Sequence, residues 1–130
     1  MEDYILKEIS KISTILKAII NKLNLTNTEN LTQEIYVAQK DICKETGIDV
    51  NEFTGSDKTI KALIEEHHLN QENISDMAEL LFYIYIASNE KDEKDRIKNR
   101  ILEIYQELNK MGGTISFRLM EILYIFDSRR

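Results

Sequence analysis

The stretch EDYILKEISKISTILKAIINKL, residues 2–23, decides the fold. Its Ile5, Ile9, Ile12, Leu16, Ile19 and Leu23 are spaced four, three, four, three and four residues apart. That rhythm puts all six on one stripe of an α-helix. Glu2 and Asp3 at its start and Lys22 near its end suit the helix dipole. Leu6, Ile15 and Ile20 widen the stripe beyond a two-position seam. A seam of this kind can pair with a copy of itself or with another helix, and a broad stripe can equally face the core of its own domain. The six seam residues are therefore a candidate interaction surface, with burial in the chain's own core as the competing use.

The same rhythm recurs downstream between polar breaks. A second helix is expected over about 31–46, with Leu31, Ile35, Ala38 and Ile42 inward and Gly47 as a left-handed cap. Asp49 and Glu52 have the spacing of a capping box for a short turn that carries Phe53. Ser56 is placed to cap a helix over about 56–68, with Ile60, Leu63 and Ile64 on its apolar face. Asn70 opens the next, about 71–88, through Ile74, Met77, Ala78, Leu81 and Tyr85. Residues 89–95 read as a polar connection or an exposed first turn. A helix over about 96–111 turns Ile97, Ile101, Ile104, Tyr105 and Leu108 inward and stops at Gly112-Gly113. Thr114 or Ser116 caps the last, about 115–127, which carries Phe117, Met120, Leu123, Tyr124 and Phe126.

Three similar pentads, starting at Leu81, Ile101 and Ile122, suit successive antiparallel hairpins. The expected fold is all-α: five to six helices packed as antiparallel helical hairpins in a single domain spanning residues 1–130. Composition agrees. With four Gly and no Pro in 130 residues, the turns of an all-β protein have no supply. At 42% hydrophobic residues the chain has enough apolar surface to fold without staples. Its single Cys43 cannot form an internal bridge and suits a reducing cytoplasm, where it is expected as a small buried hydrophobe. No secretory signal or membrane span is visible, so a cytoplasmic location is expected.

Net charge is −6, spread unevenly. Residues 27–90 hold four lysines against thirteen acids, whereas residues 91–130 hold nine basic against seven acidic side chains. The acidic middle repels a phosphate backbone, which argues against nucleic acid as a partner. Lys7, Lys11, Lys17 and Lys22 are offset by Glu2, Asp3 and Glu8, which argues against a membrane surface.

Two constellations carry possible chemistry. Glu65-Glu66-His67-His68 contains Glu-x-x-His, but a di-iron site needs a second such motif and the chain has two histidines in all. One chain cannot complete it, and the pair suits a helix C-terminus. Asp49-x-x-Glu52 and Asp76-x-x-Glu79 are similar to the paired carboxylates of all-α nucleoside triphosphate pyrophosphatases, with departures in which acid stands where. That resemblance implies Mg²⁺ held by Asp49, Glu52, Asp76 and Glu79, and hydrolysis of a triphosphate. Capping of a short turn and exposure to solvent are the alternative uses of the same four residues. No phosphate-cradling glycine loop exists, and nothing pairs Cys43 with a histidine. Phe82, Tyr83 and Tyr85 can line a pocket or fill the core.

The opening Asp3-Tyr4-Ile5-Leu6, followed by Ile9, Ile12, Leu16 and Ile19, resembles over about 20 residues the first helix of a family of uncharacterised bacterial helical proteins. In those proteins an Asp-Tyr-Ile helix precedes hairpins similar to tetratricopeptide repeats. The later helices here lack the Trp, Gly, Ala and Pro landmarks of a proper repeat of that kind. The resemblance implies a helical-hairpin scaffold without a known activity. Together the expectation is a non-enzymatic protein-interaction or scaffold protein in a bacterial-type cytoplasm, without a cofactor, bound to a protein partner or to copies of itself. The alternative is the Mg²⁺-dependent hydrolase.

Overall fold

The computed structural model describes residues 2–113 and 115–128, with side chains from Lys11 onward within that range up to Asp127. Seven helices and no strand occur among the described residues: α1 (Glu2–Leu25), α2 (Thr28–Thr46), α3 (Val50–Gly55), α4 (Ile60–His67), α5 (Gln71–Ala87), α6 (Lys91–Lys110) and α7 (Phe117–Ser128). The all-α class is as expected, and the count is higher because the turn around Phe53 is a helix of its own.

Helix α5 is the centre. Ten of its seventeen residues are buried, running unbroken from Leu80 to Ile84, and a helix apolar all round belongs inside. It packs against α1, α2, α6 and α7. One continuous hydrophobic core takes in residues of all seven helices. The Phe126 ring meets Phe82 and Tyr85 edge-on, with centroids 5.8 and 5.1 Å away, which ties α7 to the end of α5. A buried polar contact fixes the register of α1 on α5, because Asn73 Nδ2 donates to Ser13 Oγ at 2.7 Å. Asn73 also completes a capping box with Asn70 at the start of α5.

Helix boundaries follow local chemistry. Gly47 ends α2 at φ 76°, where its N–H donates to the Cys43 carbonyl. Asp49 caps α3 by accepting from the Asn51 N–H at 3.0 Å. The cap of α4 is Thr59, whose hydroxyl accepts from the Ala62 N–H, and not Ser56. The Ser56 hydroxyl instead donates to the Glu52 carbonyl and accepts from the Lys58 N–H, closing the turn after α3. Helix α6 starts at Lys91, so of the two readings of residues 89–95 the exposed first turn is the one found, with Asp92 and Glu93 at the positive pole of the dipole. Ser116 caps α7 by accepting from the Leu119 N–H, and the other expected cap, Thr114, lies outside the described residues.

The irregular link between α3 and α4 is held by α6. Arg100, 8% exposed, donates from Nε to the Phe53 carbonyl at 2.9 Å and from Nη2 to the Glu52 and Lys58 carbonyls at 2.8 and 2.9 Å. Its Nη1 reaches Glu103 Oε1 at 3.2 Å, and Glu103 Oε2 accepts from the Ile60 N–H at 2.6 Å. Substituting Arg100→Met keeps the apolar stem and removes every one of these donors. Unfolding free energy from urea denaturation followed by circular dichroism should fall by about 3 kcal/mol. A loss within error of zero would show that the clamp adds nothing to stability.

Candidate functional site

The four carboxylates of the hydrolase alternative are not gathered into one shell. Asp49 is the cap of α3. Glu52 Oε2 lies 3.0 Å from Lys58 Nζ. Asp76 Oδ2 lies 2.8 Å from Lys17 Nζ, which also reaches Glu72 at 2.9 Å. Glu79 pairs with Arg118 Nε at 3.3 Å. Each side-chain pairing involves a different cation, and α3 rests chiefly on α6 while Asp76 and Glu79 belong to α5. Among the described residues no three His, Cys, Asp or Glu side chains stand together in a way that could hold a metal ion.

Burial sets the electrostatics of the α5 pair. Burial pushes the Asp76 carboxyl above its ordinary value, and the hydrogen bond and charge of Lys17 offset only part of that. Glu79 is raised in the same way by burial, against the attraction of Arg118. Lys17 loses something to burial, but its bonds to Asp76 and Glu72 outweigh this and raise it. The asymmetry is physical: the lysine side chain is 49% exposed and the aspartate 11%. The buried partner carries most of the desolvation.

The histidines close α4. His68 takes the left-handed cap position at φ 55°, and His67 lies against Phe53 with ring centroids 6.4 Å apart. Cys43 is exposed, contrary to expectation. It follows Ile42 by one residue and so points about 100° away from the buried stripe Leu31, Ile35, Ala38 and Ile42.

Helix α1 turns the described part of its seam inward. Ile12, Leu16 and Leu23 are buried with Ile20, and Ile19 packs partly buried against the same core. Ile5 and Ile9 lie on α1, with side chains outside those described. The three buried seam residues are occupied by contacts within the chain, which leaves them no surface for a second molecule.

Among the described residues, Leu25 at the end of α1 and Tyr36 and Val37 on α2 are exposed, and the largest group of exposed apolar side chains on one helix is on α7. Helix α7 carries two apolar stripes with the same spacing. Leu119, Ile122 and Phe126 face the core. Phe117, Met120 and Tyr124 face solvent at 84%, 58% and 73% exposure. A groove of about 390 Å³ runs along that outer stripe, bounded by Glu121 and Ile125. Ile86, at the end of α5, is also exposed. Arg118 and Glu121 pair along one flank of the stripe at 3.4 Å. No described helix is long and apolar enough to cross a membrane.

Comparison of the chain with protein-family models, with curated proteins and with solved structures finds no match. The surface of α7 therefore has to be read from its own geometry.

The raised Asp76 carboxyl has a defined pH signature. A folded-state value above the unfolded 3.8 means that the folded chain binds the proton more tightly. Stability from this group therefore rises as pH falls through the folded value, and the gain is complete below the unfolded one. Asp76→Asn should be at least as stable as the native chain at pH 7. The native chain should recover relative to it as pH falls towards 4 in urea titrations. A variant that is less stable at pH 7 and stays equally so at pH 4 would contradict the assignment.

Proposed function

We propose that this chain is a non-enzymatic protein-interaction domain that self-associates through the outer face of α7. The observation that carries this reading is the solvent-facing triplet Phe117, Met120 and Tyr124. Exposed large apolar side chains grouped on one helix mark contact surfaces. A second copy is the occupant that the flanking charges favour. Arg118 and Glu121 are opposite in sign and three residues apart. A two-fold antiparallel pairing of α7 places Arg118 of one copy beside Glu121 of the other and buries both aromatic ends. The hairpin arrangement expected from the pentads suits such a scaffold, since it leaves a last helix at the edge. The carboxylates lend no support to the hydrolase alternative, because each is spent on a cap or on its own cation.

Light scattering over about 10 µM to 1 mM should show a concentration-dependent dimer, the range expected for a small interface. Phe117→Asp and Tyr124→Asp should each weaken it at least about tenfold while leaving the helical circular dichroism signal intact. A folded native chain that stays monomeric throughout would sink the reading.

A further inference from the structure

Beside the outer stripe of α7 lies a second cavity of different chemistry. The end of α5, the first turn of α6 and one flank of α7 bound a cleft of about 490 Å³, within the size range of small-molecule sites. Phe82, Tyr85, Ile86 and Tyr124 wall it, and its two charged lining residues are both cations, Lys94 and Arg118. The walls are fixed. Phe82 and Tyr85 stack with centroids 6.0 Å apart and 11° between planes, and Phe126 backs both edge-on.

The two cations differ in what they have left to offer. Arg118 is paired with Glu79 and Glu121. The Lys94 ammonium donates to the Tyr85 carbonyl at 2.7 Å and sits 4.3 Å above the Tyr85 ring centroid. Ring and carbonyl hold it in place, and an ammonium has three protons to donate. Among the described residues no carboxylate pairs with Lys94, so the cleft has one positive charge not met by a carboxylate, over an aromatic floor. A ligand complementary to this surface carries one negative charge and a flat apolar body. A polyanion such as a nucleotide would meet one available cation and the nearby Glu79 and Glu121.

We propose that the cleft binds an aromatic monocarboxylate, its carboxylate on Lys94 and its ring system against Phe82, Ile86 and Tyr124. The proposal goes beyond self-association and does not rest on it: of the outer triplet only Tyr124 lines the cleft, and Phe117 and Met120 lie outside it.

Isothermal titration calorimetry of the full chain with 2-naphthoate, and with its neutral isostere 2-naphthamide, tests the site. Naphthoate should bind saturably, one per chain, with a dissociation constant below about 1 mM, and the amide about tenfold more weakly. Lys94→Met should reduce naphthoate to the level of the amide. Lys98→Met, whose ammonium lies over Phe126 and outside the cleft, should leave binding unchanged. Phe117→Asp, which breaks the α7 pairing without altering the lining of the cleft, should not weaken binding. No saturable binding, equal affinity for the two compounds, or equal losses in the two lysine variants would overturn the proposal. The comparison of the two compounds needs no variant to fold.

Discussion

The guanidinium of Arg100 meets the one stretch of chain that helical periodicity cannot stabilise. Helices α3 and α4 have six and eight residues, too few to persist alone in water. Their facing ends bring together carbonyls without intrahelical acceptor duty and an N–H without an intrahelical partner. One i, i+3 pair on α6 answers both. Arg100 collects the carbonyls leaving α3, and Glu103 takes the Ile60 N–H entering α4. Cation at the negative pole and carboxylate at the positive pole is also the favourable order for two helix dipoles. With that segment pinned to α6, Phe53, Ile60 and Leu63 close completely under it. Helix α6 is then a fixed wall against which α5 packs.

How far the sequence could be read depended on what each residue does. Period-3.6 stripes placed α1, α2 and α5 to within a few residues, since hydrophobic burial is periodic and needs no knowledge of partners. Gly47 and Gly112 ended helices where expected, both at positive φ. The start of α4 was misplaced because Ser56 and Thr59 are both competent caps, and the choice between them rests with Glu103, 43 residues away from Ile60. Arg100 left a usable trace. It sits between Ile97 and Ile104 in the buried stripe of α6, and a charge inside an apolar stripe calls for buried acceptors.

Surface features were harder to read for a related reason. Phe117, Met120 and Tyr124 share their spacing with Leu119, Ile122 and Phe126. Periodicity identifies two stripes on α7 and cannot say which faces the core, because that depends on how the edges of α5 and α6 are already filled. The seam of α1 presented the opposite ambiguity, resolved by Ser13 and Lys17 meeting Asn73 and Asp76 on α5. The acidic pairs were legible as spacing only. Their neutralisation by Lys17, Lys58 and Arg118 comes from three different elements of the fold, and local sequence does not encode it.

The docking of α1 on α5 has a consequence for how the protein is made. Ser13 and Lys17 find their partners 60 and 59 residues further along the chain. A ribosome adds roughly 5–20 residues per second, so several seconds separate the emergence of the two helices. Throughout that interval Ile12, Leu16, Ile20 and Leu23, the most deeply enclosed of the described apolar side chains on α1, have no α5 to cover them. The nascent chain thus exposes the apolar face of α1 before α5 exists to cover it, and that face is a surface on which holding chaperones would act.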